Sequence, residues 1–298
     1  MDLSQLKGNW ETLAQRDPMW AIMSDPSKKG RKWDSAEFFQ SGETAVDHTL
    51  KVIAAARFPL SRGTALDFGC GLGRQTQGLA RHFQKTYGVD ISPTMITEAT
   101  HYNQFGDACK YILNDAPDLR CFADDMFDFI CSAAVLQHIP PDASKAYIAE
   151  FVRVLRPGGL LMFQLPSSLR AAAAPEANRT GPNALDATAN AAPPESGAWP
   201  TKSSSFARIR RYFSRLKRAL VEPGQNPVAQ VTTSATDAPS GDLERLIEMH
   251  GIPREEVCQL LEGQGATVLK VQEEHWSGAA WFDFRYWATK QPFQGTWT

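Results

Sequence analysis

The residues able to do chemistry fall in four short blocks. The first, Asp67-Phe68-Gly69-Cys70-Gly71-Leu72-Gly73, sets one carboxylate ahead of three glycines at alternate positions. Glycine lets a backbone turn sharply and approach a ligand closely. A dinucleotide fingerprint counted from Gly69 would need glycine at position 74, where Arg74 stands. Pyrophosphate asks for a helix amino terminus packed against it. A cofactor without phosphates accepts the looser spacing, and a cationic one would welcome Asp67. The second block, Tyr87-Gly88-Val89-Asp90-Ile91, ends in an acid 17 residues beyond Gly73. That is close to the spacing of roughly 20 at which an acid meets a ribose in doubly wound folds. Asp90 could equally cap a helix beginning at Pro93. In the third block, Asn114-Asp115, either side chain could meet a ligand or close an Asx-turn. In the fourth, Leu136-Gln137-His138, the imidazole titrates near neutrality and suits a proton acceptor. It could instead bond backbone and shape its loop. His275 could face the same space or stand in solvent. The six histidines form no H-x-x-x-H or H-E-x-x-H pair. No metal is expected.

These blocks need strands to hold them. Thr64–Phe68, Tyr87–Ile91, Tyr111–Asn114, Phe127–Ala133 and Leu160–Leu165 are short apolar runs, as buried strands require. Helical patterns separate them: Gln75–Phe83, a run from Pro93, and a run capped by Asp142 with Tyr147, Ile148, Phe151, Val152 and Leu155 at core spacing. Strand–helix alternation predicts a parallel sheet with helices on both faces. Residues 42–57 form a helix ahead of it. Beyond residue 240, helices at 242–249 and 253–261 lead to strands at 265–271 and 276–288.

Four ordered blocks now carry a resemblance. They are Asp67 to Gly73; Gly88-Val89-Asp90; Phe127-Asp128-Phe129-Ile130 with Leu136-Gln137-His138; and Arg153-Val154-Leu155-Arg156-Pro157-Gly158-Gly159. Over residues 64–166 the chain resembles class I S-adenosylmethionine-dependent methyltransferases of the type called methyltransferase 11. The resemblance implies a doubly wound, seven-stranded Rossmann-like α/β sheet whose last strand runs antiparallel between its neighbours. It implies S-adenosyl-L-methionine as cofactor. Asp67, Gly69, Gly71 and Gly73 would then hold the methionyl part and Asp90 the ribose. Ile91 and Met95 would flank the adenine, with Asp115 and Ala116, or Asn114, bonding its edge. Ser132 and Gln137 would complete the cofactor side.

The remaining chain bounds the reading. Of 298 residues, 43% are hydrophobic and 21% charged, with net charge −2. That suits a globular protein with a sizeable core and no global basic field for nucleic acid. Five scattered cysteines without a C-x-x-C pair fit a reducing, cytoplasmic setting. Residues 1–45 read as an amino-terminal lid arm of short helices broken at Pro18 and Pro26, with Trp33 as a lid residue facing cofactor or substrate. Residues 46–298 would be the methyltransferase domain. An insertion over 167–240, after the fifth strand, would act as a cap. Within it 206–220 reads as a basic amphipathic helix, suited to packing on the core, to peripheral membrane contact or to an acidic substrate. The expected activity is methyl transfer to a small-molecule or glycan acceptor, through a hydroxyl, with His138 as base. The rival readings are an NAD-dependent oxidoreductase or epimerase and a non-catalytic binding or membrane-docking module.

Overall fold

A computed structural model describes residues 2–170, 246–275, 277, 280–291 and 297. The expected cap and the basic helix at 206–220 lie outside the described residues. The parallel strands are β1 (Thr64–Phe68), β2 (Lys85–Asp90), β3 (Cys109–Leu113), β4 (Phe127–Ser132) and the long β5 (Leu155–Leu169). β6 (Ala266–Glu274) and β7 (Trp281–Lys290) follow. The strand order is β3-β2-β1-β4-β5-β7-β6. β7 runs antiparallel to both neighbours, pairing Phe163 with Tyr286 on one side and Val271 with Tyr286 on the other. This is the expected seven-stranded doubly wound sheet. The order reverses beside β1, where the first crossover leaves β1 in one direction and β4 lies on the other side. Ligands in such sheets bind at that switch point.

Burial explains why these segments are strands. All six residues of β4 are buried, as a central strand covered on both faces must be. On one face lie α6 (Pro141–Val154) and α7 (Arg254–Gly263), around Tyr147, Ile148, Phe151, Val257 and Leu261. On the other lie α3 (Ser35–Ala55) and α4 (Arg74–Ala80), where Val46, Leu50, Ile53 and Leu79 meet Phe129, Met162 and Trp287. α5 (Pro93–His101) connects β2 to β3.

Three local expectations change. α3 begins at Ser35, not near residue 42, because Asp34 accepts from the Glu37 N–H at 2.9 Å and caps it there. One helix therefore runs through residue 45. Asp142 caps nothing: α6 starts at Pro141, with Pro140 at its N-cap and no side-chain cap bond, and Asp142 sits exposed in the first turn. Residues 247–250 are not helical. Their backbone instead serves the site, with His250 N–H donating to the Gln137 carbonyl at 2.7 Å.

The amino-terminal residues form α1 (Leu3–Arg16) and α2 (Pro18–Ile22). Leu13, Trp20 and Phe38 are buried in a third cluster with Leu72 and Met95. Glu11 fixes α1 to the start of α5. It accepts from Ser92 Oγ at 2.6 Å, from Thr94 N–H at 3.1 Å, and from the Thr94 hydroxyl.

Candidate functional site

A cavity of about 1070 Å³ opens at the carboxyl ends of β1, β2 and β4, beneath α1, α2 and α3. The glycine loop forms its floor. Gly69 and Gly71 have φ of 75° and 52°, in the left-handed region. A Cβ on Gly69 would stand 2.4 Å from Val135, and one on Gly71 2.5 Å from Ile22. The loop is thus a contact surface for the post-β4 turn and for α2 as well as a ligand floor. Gly73 lies off the cavity, at the N-cap of α4 against the Tyr111 ring.

Asp67 is buried at the end of β1. It accepts from Thr76 Oγ1 at 2.7 Å and from the Cys131 thiol at 3.8 Å. Burial pushes its carboxyl up to about 6. Asp90 accepts from Gly71 N–H through Oδ2 at 2.8 Å and from Ser92 N–H through Oδ1 at 3.0 Å. Burial raises its carboxyl too. Each Asp90 oxygen keeps a second lone pair, which two ribose hydroxyls could use. The helix after it is capped by Ser92, whose Oγ accepts from Met95 N–H at 3.2 Å, so Asp90 is left to the loop.

The cavity brings together Trp33, Asp67, Gly69, Gly71, Asp90, Ile91, Met95, Asn114, Gln137 and His138. Gly73, Asp115, Ala116, Ser132 and His275 do not line it. Asp115 instead pairs with Lys7 at 2.8 Å, and Asn114 takes the lining position. Asn114 Nδ2 donates to the Asp118 carbonyl at 3.0 Å, so its oxygen is turned from that bond. Ser132 is fully buried with no partner for its Oγ among the described residues. His275 is exposed beyond β6.

His138 is held by both ring nitrogens. Nδ1 lies 2.8 Å from the Glu248 carbonyl, which can only accept, so Nδ1 carries the proton. Nε2 then accepts from the Gln137 amide at 3.0 Å. Gln137 is fixed in turn. Its Oε1 accepts from Ser277 Oγ at 2.8 Å and from Gln164 Nε2 at 3.3 Å. Gln164 donates to Asp283 at 2.6 Å and accepts from Ala134 N–H at 2.8 Å. Ala134 has φ of 60°, a costly conformation for a residue with a Cβ. Gln164 holds it there. The base expected from sequence is thus, in this geometry, a ring whose lone pair is already engaged.

Sequence reasoning missed several lining residues. Trp10 meets His138 edge-on at 5.5 Å between ring centroids. Trp33, expected from the sequence, donates from Nε1 to the Met23 carbonyl at 3.0 Å. Arg74, His48 and Arg285 also face the cavity. Burial, with Arg285 and Lys51 near, holds His48 below the usual histidine value. The one signal for Arg74 was its place directly after the glycine block. His48 and Arg285 had no local signal, since β7 reaches the site only through the sheet.

This fold is the one class I S-adenosylmethionine-dependent methyltransferases share. The chain superposes on magnesium protoporphyrin IX methyltransferase from Synechocystis PCC 6803, solved with bound SAH, with a TM-score of 0.54 at 13% identity, covering 97% of this chain and 100% of that one. It also superposes on a Leishmania major SAM-dependent methyltransferase with a TM-score of 0.55 at 12% identity, covering 97% and 82%. Residues 66–163 match the family described as methyltransferase domain. The chain is 34% identical over 100 residues to 2-methyl-6-phytyl-1,4-hydroquinone methyltransferase of Synechocystis, covering 33% of this chain and 30% of that protein. It is 33% identical over 106 residues to a ubiquinone biosynthesis O-methyltransferase of Xylella fastidiosa, covering 35% and 42%. The chain thus spans less than half the length of these curated relatives. The family match over residues 66–163 includes the glycine loop, Asp90 and His138.

Proposed function

We propose that this chain is an S-adenosylmethionine-dependent methyltransferase acting on a hydroxyl of a small, largely apolar acceptor. One observation carries the reading: a single cavity of about 1070 Å³ joins the strand-end acids Asp67 and Asp90 to an apolar wall that includes Val135, Met162, Met249 and Trp281. Small-molecule sites run from about 300 to 1,000 Å³, so there is space for a cofactor and an acceptor together.

The residues present fit the cofactor. Asp67 offers a carboxylate to a cationic end, Asp90 two free lone pairs to vicinal hydroxyls, and Ile91 and Met95 an apolar slot for a flat ring. Asn114, also on the cavity lining, would read the edge of that ring. When bound, the cofactor supplies an electrophilic methyl on a sulfonium, and its leaving group is a neutral thioether that needs no acid. The protein's work is then alignment and exclusion of water. The glycine loop and Asp90 fix one reactant. The turn at Ala134 and Val135, held by Gln164, fixes the wall beside it. Trp10, Ile22 and Trp33 cover the site from the arm. His138 positions that wall rather than taking the acceptor's proton, because Gln137 occupies Nε2; the hydroxyl's proton leaves to water as the O–CH3 bond forms and the C–S bond breaks.

The apolar wall favours an aromatic or prenylated acceptor over a saccharide. The names of the two curated relatives, a hydroquinone methyltransferase and a ubiquinone biosynthesis O-methyltransferase, support the same choice. Five free cysteines fit the cytoplasm as the place of action. Transfer of labelled methyl to a panel of hydroquinones, catechols and saccharides tests the acceptor class; turnover on saccharides alone would overturn it. Calorimetry with S-adenosylhomocysteine and NADH tests the cofactor.

A further inference from the structure

Arg74 is a half-buried cation on the cavity wall. Its guanidinium lines the cavity directly after the glycine loop. It makes one hydrogen bond, from Nη1 to Ser41 Oγ at 3.2 Å, and its Nε is buried with no partner. No described carboxylate pairs with it. Asp67, the acid whose charge acts on it, is engaged by Thr76 and Cys131. Burial pulls the guanidinium down to about 10. A cation drawn partly out of water with one buried donor left unpartnered is costly, and such groups are normally paired. Other cations near the site are compensated: Arg285 pairs with Glu274 at 3.1 Å and Lys28 with Glu37.

The backbone holds Arg74 in this place. A Cβ on Gly42 would stand 2.1 Å from the Arg74 carbonyl oxygen, so α3 crosses α4 in direct backbone contact. Ser41, the neighbour of Gly42, is the residue that orients the guanidinium. Arg74 and Asp67 are thus two opposite charges on one edge of the same cavity, bare of each other's direct contact.

We propose that Arg74 is the carboxylate-binding residue of the site, taking the α-carboxylate of a zwitterionic ligand while Asp67 faces its ammonium. This rests on the cofactor reading above and assigns the methionyl end within it. A planar guanidinium fork matches a carboxylate in two parallel bonds.

Two ligands separate this contact from the rest of the site: S-adenosylmethionine, and decarboxylated S-adenosylmethionine, which keeps sulfonium and ammonium but lacks the carboxylate. Calorimetric titration of the wild-type chain should show at least about tenfold tighter binding of the first, the weight of one charge-assisted contact. Arg74→Met should lose that preference by weakening S-adenosylmethionine while leaving the decarboxylated ligand within about twofold. Arg74→Lys, which keeps a charge but not the fork, should retain part of it. Equal affinity of the wild-type chain for both ligands overturns the assignment even if Arg74→Met does not fold. So does a Met variant that loses both ligands alike. Failure of the wild-type chain to bind either ligand overturns the cofactor reading and this assignment with it.

Discussion

Gln137 donates its amide to His138 Nε2 at 3.0 Å, while the other side of the same ring donates to the Glu248 carbonyl. A protonated ring would put an N–H against an N–H there, so the arrangement favours the neutral imidazole. Loss of a general base costs about 10² to 10⁴ in rate. We expect His138→Ala to lower kcat by less than about a hundredfold and to lower thermal stability, because the Gln137 amide loses its partner. Steady-state kinetics beside a melting curve check this. A larger fall in kcat with unchanged melting would restore the base role.

Asp67 contributes to the pH dependence of stability. Its carboxyl is raised to about 6, against about 3.9 in an unfolded chain. The folded state therefore holds a proton that the unfolded state has released between those values. Stability from this group is fully present below about pH 4 and is lost as pH rises through 6. The gap corresponds to about 3 kcal/mol at neutral pH. Asp67→Asn should flatten the decline in stability between pH 4 and 6 and raise the melting temperature at pH 7. It should also weaken S-adenosylmethionine binding. An unchanged slope in urea titrations across that range would refute the assignment.

Asp90 acts on two elements at once. Its carboxylate clamps Gly71 and the start of α5 through Ser92. Hydrogen bonds to a charged group contribute about 1.5–3 kcal/mol each. Asp90→Ala should weaken S-adenosylhomocysteine at least tenfold and loosen the loop. Amide exchange at Gly71 and Ser92, followed with and without ligand, separates the two effects. Protection of both amides equal to wild type would contradict the clamp.

Glu11 joins the arm to the sheet. Three donors from Ser92 and Thr94 converge on its carboxylate. Glu11→Ala leaves those donors without an acceptor and should cost about 1–3 kcal/mol. Limited proteolysis should then cut within residues 3–16 sooner than in wild type, and added cofactor should restore resistance, since both ends of the arm bear on the same cavity. Cleavage rates equal to wild type would show that α1 is held by Leu6 and Leu13 alone.

Much of the fold was legible because a central strand must be apolar on both faces. Phe127 to Ser132 shows this as an unbroken buried run, and Thr64–Phe68 nearly so. Element ends were less legible. The Asp34 cap moved the start of α3 seven residues ahead of 42, and Asp142 looked like a cap only because Pro140 and Pro141 give no side-chain signal.

The sequence by itself determined the strand-end edge of the cavity. Asp67, Gly69, Gly71 and Asp90 are near in the chain, and a strand–turn–helix unit places them by local geometry. Tertiary structure alone decided the rest. Asn114 rather than Asp115 lines the cavity because Lys7, more than a hundred positions away, draws Asp115 aside. His138 loses its free lone pair to a chain of bonds running through Gln137 and Gln164 to Asp283, which β7 brings beside β5. Such contacts depend on strand order and on which face each side chain takes. Neither is written in the spacing of nearby residues, because they come from closing long loops whose ends meet only in the finished sheet.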